Sequence, residues 1–238
     1  MSGFSPRDAI FVLLGLGAGI QAAAQATAPA SRPPSSEDFD REVRAARSYL
    51  EGWFGSSMAL PPIEVAQGRG ADGSADLPGH YQDGTVRLRP ETLRKDSELR
   101  RVLRHELTHA VVDQKTRGNC PHWLQEGMAQ FLDGTDVVAT DAWLRRAPSL
   151  IPLFRIEGPF RDRDGASREL AYRESASAVS FLVSKIGRSG LLFLFERLGE
   201  GRPFERALVE TGLSYTELQQ AWESSLRPRA QGAKPPQA

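Results

Sequence analysis

The chain has 238 residues, and its 30 lysines and arginines balance 30 aspartates and glutamates to a formal net charge of zero. With 40% apolar and 25% charged residues it has the composition of one soluble globular domain, and the interspersed acids leave no electrostatic basis for a nucleic-acid or anionic-membrane partner. Cys120 is the only cysteine, so no internal disulfide can form and the apolar core must hold the domain.

In chain order, the first element is a targeting segment. Arg7 precedes an apolar run over residues 9–20 (AIFVLLGLGAGI), and small residues follow at Ala22, Ala23, Ala24 and Ala26. This is the layout of a secretory signal peptide over residues 1–26, with cleavage after Ala24 or Ala26 and a periplasmic or secreted product. The run is short of the roughly 20 residues that span a bilayer, so no stable membrane insertion is expected once the segment is removed; a retained anchor is the alternative. No cysteine follows for lipid attachment. Residues 27–36 (TAPASRPPSS) read as a disordered linker, and residues 228–238, rich in Pro and Gln, as a disordered tail. One domain over residues 37–227 remains.

Phe39, Val43, Ala46, Leu50 and Trp53 recur at helical intervals and predict an amphipathic helix over residues 37–54. Ile63-Glu64-Val65 reads as a short strand, residues 68–79 as a Gly/Asp-rich loop, and His80-Tyr81 as a further extended piece. Asp83-Gly84 then signals a hairpin into Thr85-Val86-Arg87-Leu88-Arg89, which alternates polar and apolar.

The next helix carries the chemistry. Leu99, Val102, Leu103, Leu107, Ala110 and Val111 have helical apolar spacing, with Asp96 as candidate N-cap and Gly118-Asn119 as the stop. Arg100, Arg101 and Arg104 share the opposite, solvated side. Within it, His105-Glu106-Leu107-Thr108-His109 sets two imidazoles four residues apart, and four steps of about 100° overshoot a turn by only about 40°. Both can therefore hold one tetrahedral metal, and Glu106 leaves the helix where its carboxylate reaches a water on the metal's open side. A second helix follows at once, with Pro121 near its first turn and Gly134 beyond its end, and it folds Glu126 back toward the histidines.

Other groups near the motif have competing readings. Glu169 and Glu174 are the alternative candidate carboxylates for a metal. Cys120 sits at the turn between the two helices, led away from His105, and reads as a buried structural thiol. His122 reads as lying nearly opposite Glu126 around its helix, which assigns it to packing or the surface. His80 has no partner at ligand spacing. Asp113, one turn beyond His109, and Gln130, one turn beyond Glu126, are candidates to orient the ligands, with a solvated Asp113 equally open. Short helices over about residues 136–146, 167–186, 190–198, 203–210 and 214–226 complete the chain, separated by an irregular crossing over residues 148–159 and a charged turn over residues 161–165.

His-Glu-Leu-Thr-His, a short spacer and Trp123-Leu124-Gln125-Glu126-Gly127-Met128-Ala129 resemble the gluzincin zinc peptidases, most of all their compact bacterial "peptidase MA-like" members. Tyr172-Arg173-Glu174-Ser175, Phe204-Glu205-Arg206-Ala207-Leu208 and the stretch from Leu213 to Trp222 follow the same group's looser C-terminal pattern. The resemblance implies a zincin-like α+β fold: a small antiparallel or mixed sheet, the motif helix, the glutamate helix and a C-terminal helical subdomain. It implies one catalytic Zn²⁺ held by His105, His109 and Glu126, with Glu106 as base. It makes Tyr172 a candidate oxyanion partner, a buried structural tyrosine being the alternative. The edge strand nearest the metal should pair with a peptide or protein substrate, and residues 85–89 are the candidate edge. The sixteen-residue spacer from His109 to Glu126 is shorter than in the larger gluzincin families, which puts their substrate preferences out of reach.

The expectation is an exported zinc-dependent metallopeptidase. Its alternatives are a non-catalytic zincin-fold binding protein of the cell envelope, which would often lack Glu106, and a hydrolase of non-peptide amides. No glycine–acidic exopeptidase signature precedes the motif, which leans toward endopeptidase action.

Overall fold

The computed structural model describes residues 36–55, 59–65 and 78–227. The segments read as signal peptide and C-terminal tail, nearly all of the linker and most of the Gly/Asp-rich loop lie outside the described residues.

Helix α1 (Ser36–Phe54) forms on the apolar spacing expected of it. It buries Ala46, Leu50 and Phe54 against the rest of the core. Glu42 fastens it to the motif helix by accepting two hydrogen bonds from Arg100, at 2.8 and 2.9 Å. Three strands follow: β1 (Ile63–Val65), β2 (Gly79–Gln82) and β3 (Thr85–Leu88). Asp83 and Gly84 take positive φ, 49° and 75°, as a two-residue hairpin with right-handed strand twist requires. β2 and β3 pair antiparallel, with Tyr81 opposite Val86, while β1 returns parallel to β3, with Ile63 opposite Val86. The alternation of β3 is real, since Val86 and Leu88 are fully buried.

The sheet order is β1-β3-β2, which corrects the expectation that residues 85–89 form the edge. β3 is the central strand and both its sides are hydrogen-bonded. The edge against the motif helix is β2. Gly79 shows how close that approach is: a Cβ there would sit 2.6 Å from Val102 Cγ1.

The motif helix α2 (Asp96–Thr116) is capped by Lys95 rather than by Asp96, which instead places an acid in the first turn, where it complements the helix dipole. It ends at Arg117 and Gly118, both left-handed, with φ of 53° and 75°. Glutamate helix α3 (His122–Asp133) begins after Pro121 and stops at Gly134, φ 91°. α4 (Val137–Leu144) starts on Asp136, whose side chain accepts from the Ala139 N–H at 2.9 Å. Short 3₁₀ turns at Leu153–Ile156 and Phe160–Asp162 punctuate the irregular crossing.

α5 (Gly165–Gly199) joins the two helices expected on either side of Gly187, which breaks the run at φ 66°, ψ 177°. Its length and composition would suffice to cross a membrane. Here it packs against α2, α3, α4, α6 (Phe204–Glu210) and α7 (Tyr215–Leu226), the last opened by a capping box between Ser214 and Glu217. The α3–α5 contact passes through Gly127, directly after Glu126. A Cβ there would meet the Ser175 carbonyl oxygen at 2.2 Å and Val179 Cγ2 at 2.4 Å. Glycine lets the two backbones touch and sets the depth at which Glu126 is presented.

The architecture is the expected α+β arrangement: a small mixed sheet, the two motif helices and a helical C-terminal part.

Candidate metal centre

α2 delivers His105 and His109 on one face, with ring centroids 4.8 Å apart. α3 runs back past them, so that Glu126 Oε2 lies 3.9 Å from Nε2 of each histidine. One donor atom from each of the three residues falls within 4.8 Å of the others. Ligand bonds of about 2 Å at tetrahedral angles space donors by roughly 3.3–3.5 Å, so each 3.9 Å gap from Glu126 to a histidine would close by about half an ångström on a shared ion.

All three side chains are buried, at 1%, 0% and 0% exposure. Among the described residues, His105 Nε2, both ring nitrogens of His109 and both carboxylate oxygens of Glu126 have no hydrogen-bond partner. Buried polar atoms are nearly always satisfied, and three of these orphans, His105 Nε2, His109 Nε2 and Glu126 Oε2, face one another and fit a cation that accepts imidazole nitrogen and carboxylate oxygen. The electrostatics agree. Burial, then the charges of Glu106 and Asp133, hold the Glu126 carboxyl well above its usual range. Burial, then His105 and His122, push His109 well below its own. A divalent cation reverses the first tendency and accepts the neutral imidazole that the second provides.

Glu106 lies beside the three, outside the group whose donor atoms cluster. It is 1% exposed, and burial raises it to about 7 against the pull of His105 and a hydrogen bond from the Tyr81 backbone N–H. That bond places edge strand β2 directly beside the motif.

The residue that orients His105 is one the sequence reading missed. Asp133, at the end of α3, accepts from His105 Nδ1 at 2.8 Å and thereby turns Nε2 toward Glu126. Its other oxygen is held by the Thr135 N–H and hydroxyl at 2.8 and 2.7 Å. Asp133 lies seven residues beyond Glu126, two turns along the same face, and that spacing is the signal that could have found it. Asp133→Asn weakens the acceptor, and the expected result is metal affinity lower by about 10–100-fold, read by chelator competition, with the fold retained. Affinity within two-fold of the parent would remove Asp133 from the site.

The two residues expected in that orienting role serve elsewhere. Asp113 accepts from the Tyr81 hydroxyl at 3.2 Å and so ties β2 to α2. Gln130 donates to the backbone oxygens of Glu126 and Tyr172, at 3.3 and 3.0 Å, joining α3 to α5 without touching the carboxylate of Glu126. His122 also departs from expectation. Four residues before Glu126 is the same face of the helix, not the opposite one, and its Nε2 stands 3.6 Å from Glu126 Oε1. Tyr172 is buried with its ring edge-on to Phe160 at 5.1 Å, and Phe160 in turn is edge-on to His122 at 4.5 Å. Cys120 is partly buried in the turn between α2 and α3, and burial raises its thiol. His80 falls in β2, opposite Arg87.

Neither alternative carboxylate joins the metal group. Glu169 pairs with Arg173 at 2.7 Å on the surface. Glu174 is fully buried and accepts from the Ile151 N–H at 2.7 Å, pinning the irregular crossing to α5. Burial pushes its carboxyl up to about 8 from 4.5. An acid raised in this way binds more protons folded than unfolded between those values, so its contribution is fully present below the unfolded pKa and fades as pH climbs through the folded one. Glu174→Gln keeps an acceptor for Ile151 and removes the titration. The variant is expected to match the parent in urea unfolding near pH 4.5 and to gain on it steadily toward pH 8. A difference that stays flat with pH would contradict this.

Fold and ligand set together define a metallopeptidase-like domain. The family model for the Peptidase MA superfamily matches residues 91–228, more than half of the chain, and the chain belongs to that superfamily. No curated protein and no solved structure matches it.

Proposed function

We propose that the protein is an exported zinc-dependent metallopeptidase of the gluzincin type. One observation carries this reading: three buried metal donors, unpartnered among the described residues, converge beside a fourth buried group, the Glu106 carboxylate, which stands next to His105 on α2 and is not among them. A structural metal site has no use for that fourth group, whereas a hydrolase does. For the same reason, hydrolysis is favoured over a non-catalytic binding role.

His105, His109 and Glu126 would hold the ion. Bound there, Zn²⁺ supplies Lewis acidity: it polarises the scissile carbonyl and lowers the pKa of water from 15.7 to about 7. Glu106 takes the proton of the attacking water and hands it to the departing amine. With a cation held by those three residues, the Glu106 carboxyl would fall below about 7 and be ionised, able to accept a proton at neutral pH. Asp133 keeps His105 in the tautomer that presents Nε2. Tyr172 is the proposed oxyanion donor on the family resemblance; its ring packs edge-on against Phe160.

β2 is the proposed substrate edge. Among the described residues it pairs only with β3, and its Tyr81 N–H meets Glu106. A peptide added as a further strand there runs across the base.

Metal content is the test. Elemental analysis of purified mature protein should find one zinc per chain, and a protein that refuses stoichiometric zinc after dialysis against it would overturn the assignment. Export rests on the sequence of residues 7–26, and intact-mass measurement of the exported form should give a chain starting at Gln25 or Thr27. A mass that still includes Met1 would favour the anchored alternative.

A further inference from the structure

His122 occupies a place that none of the roles above explains. Its backbone N–H donates to the Glu157 carbonyl at 2.8 Å, and its ring is held edge-on by Phe160, so both ends of the residue are fixed by the irregular crossing. The residue is buried, and its Nε2 is the ring nitrogen that faces Glu126.

The two oxygens of Glu126 face different neighbours. Oε2 is the atom equidistant, at 3.9 Å, from the Nε2 atoms of His105 and His109. Oε1 is 3.6 Å from His122 Nε2 and has no hydrogen-bond partner among the described residues. The gap is less than an ångström longer than an N–H···O⁻ bond of about 2.8 Å. His122 is also not one of the three residues whose donor atoms cluster, which argues against a ligand role.

We propose that His122 is a positioning residue of the metal centre: its Nε2–H holds Glu126 Oε1, so that Oε2 alone is presented to the metal. The inference rests on Glu126 being a metal ligand. The physical reason is the one that applies to Asp133. A carboxylate free to rotate can offer either oxygen or both, and a donor on one oxygen fixes which is offered and at what angle. His105 and Glu126, one ligand from each helix, are then each held from behind by a side chain of α3.

The test measures zinc affinity by chelator competition on the full mature chain, for the parent, His122→Gln and His122→Phe. The amide nitrogen of glutamine falls where Nε2 stands, so His122→Gln should bind zinc within about three-fold of the parent. His122→Phe keeps the contact with Phe160 but has no donor, and should bind about 10–100-fold more weakly. A phenylalanine variant within two-fold of the parent, or a glutamine variant as weak as the phenylalanine one, overturns the proposal. A measurement on the unaltered protein decides the matter if His122→Phe does not fold. In the zinc-loaded parent, ¹⁵N spectra should show His122 protonated at Nε2. A bare Nε2 with the proton on Nδ1, or a metal-bound Nε2, overturns it. A parent that binds no zinc overturns the metal reading itself, whereas a parent that binds zinc irrespective of residue 122 overturns only the role of His122.

Discussion

Glu106→Gln is expected to retain zinc and fold while losing nearly all turnover. The residue is buried, its carboxyl sits beside the three donors without being one of them, and glutamine matches its size. Glutamine still accepts the Tyr81 N–H, so the link between β2 and α2 survives. What it lacks is a basic oxygen, and loss of a general base removes on the order of 10²–10⁴-fold in rate. The loss should fall on kcat with KM little changed, because the base acts in the transition state and not in holding substrate. Hydrolysis within a few-fold of the parent would mean that another group accepts the proton.

His109→Ala should have the complementary effect, removing the metal and leaving the fold. His109 is fully buried with neither ring nitrogen hydrogen-bonded among the described residues, so truncation strands no partner there. It leaves one imidazole and one carboxylate, which is too few to retain zinc. The readout is thermal as well as elemental. A metal that binds only the folded state stabilises it by mass action, raising the parent's melting temperature on addition of zinc. That rise should vanish in His109→Ala while the metal-free melting temperatures of the two proteins stay close. A folded variant with full zinc occupancy would contradict the ligand assignment.

Much of this was legible because the signals are local. The hairpin at Asp83-Gly84, the amphipathic spacing of α1, the face shared by His105 and His109, and the stops at Gly134 and Gly187 each depend on neighbouring residues and the period of one element. What escaped depends on distant segments. β1 returns in parallel onto β3 across a long intervening segment, and that pairing made β3 the central strand and passed the edge to β2. Tyr81 could not be seen to reach both Glu106 and Asp113, because the contact joins a strand to a helix. Glu174 takes its partner from an irregular crossing, where no periodicity says which N–H is in reach. His122 and Asp133 are a different matter. Both stand on α3 at helical intervals from Glu126, four before and seven after, and their places followed from the helix period alone.

Chelation and reconstitution of peptide cleavage test the metallopeptidase reading most directly. The zinc-loaded mature protein should cut members of a broad peptide library followed by mass spectrometry, fall silent when a chelator strips the metal, and recover on addition of one equivalent of zinc. A library left intact by protein of full zinc occupancy, or cleavage indifferent to the chelator, would contradict it.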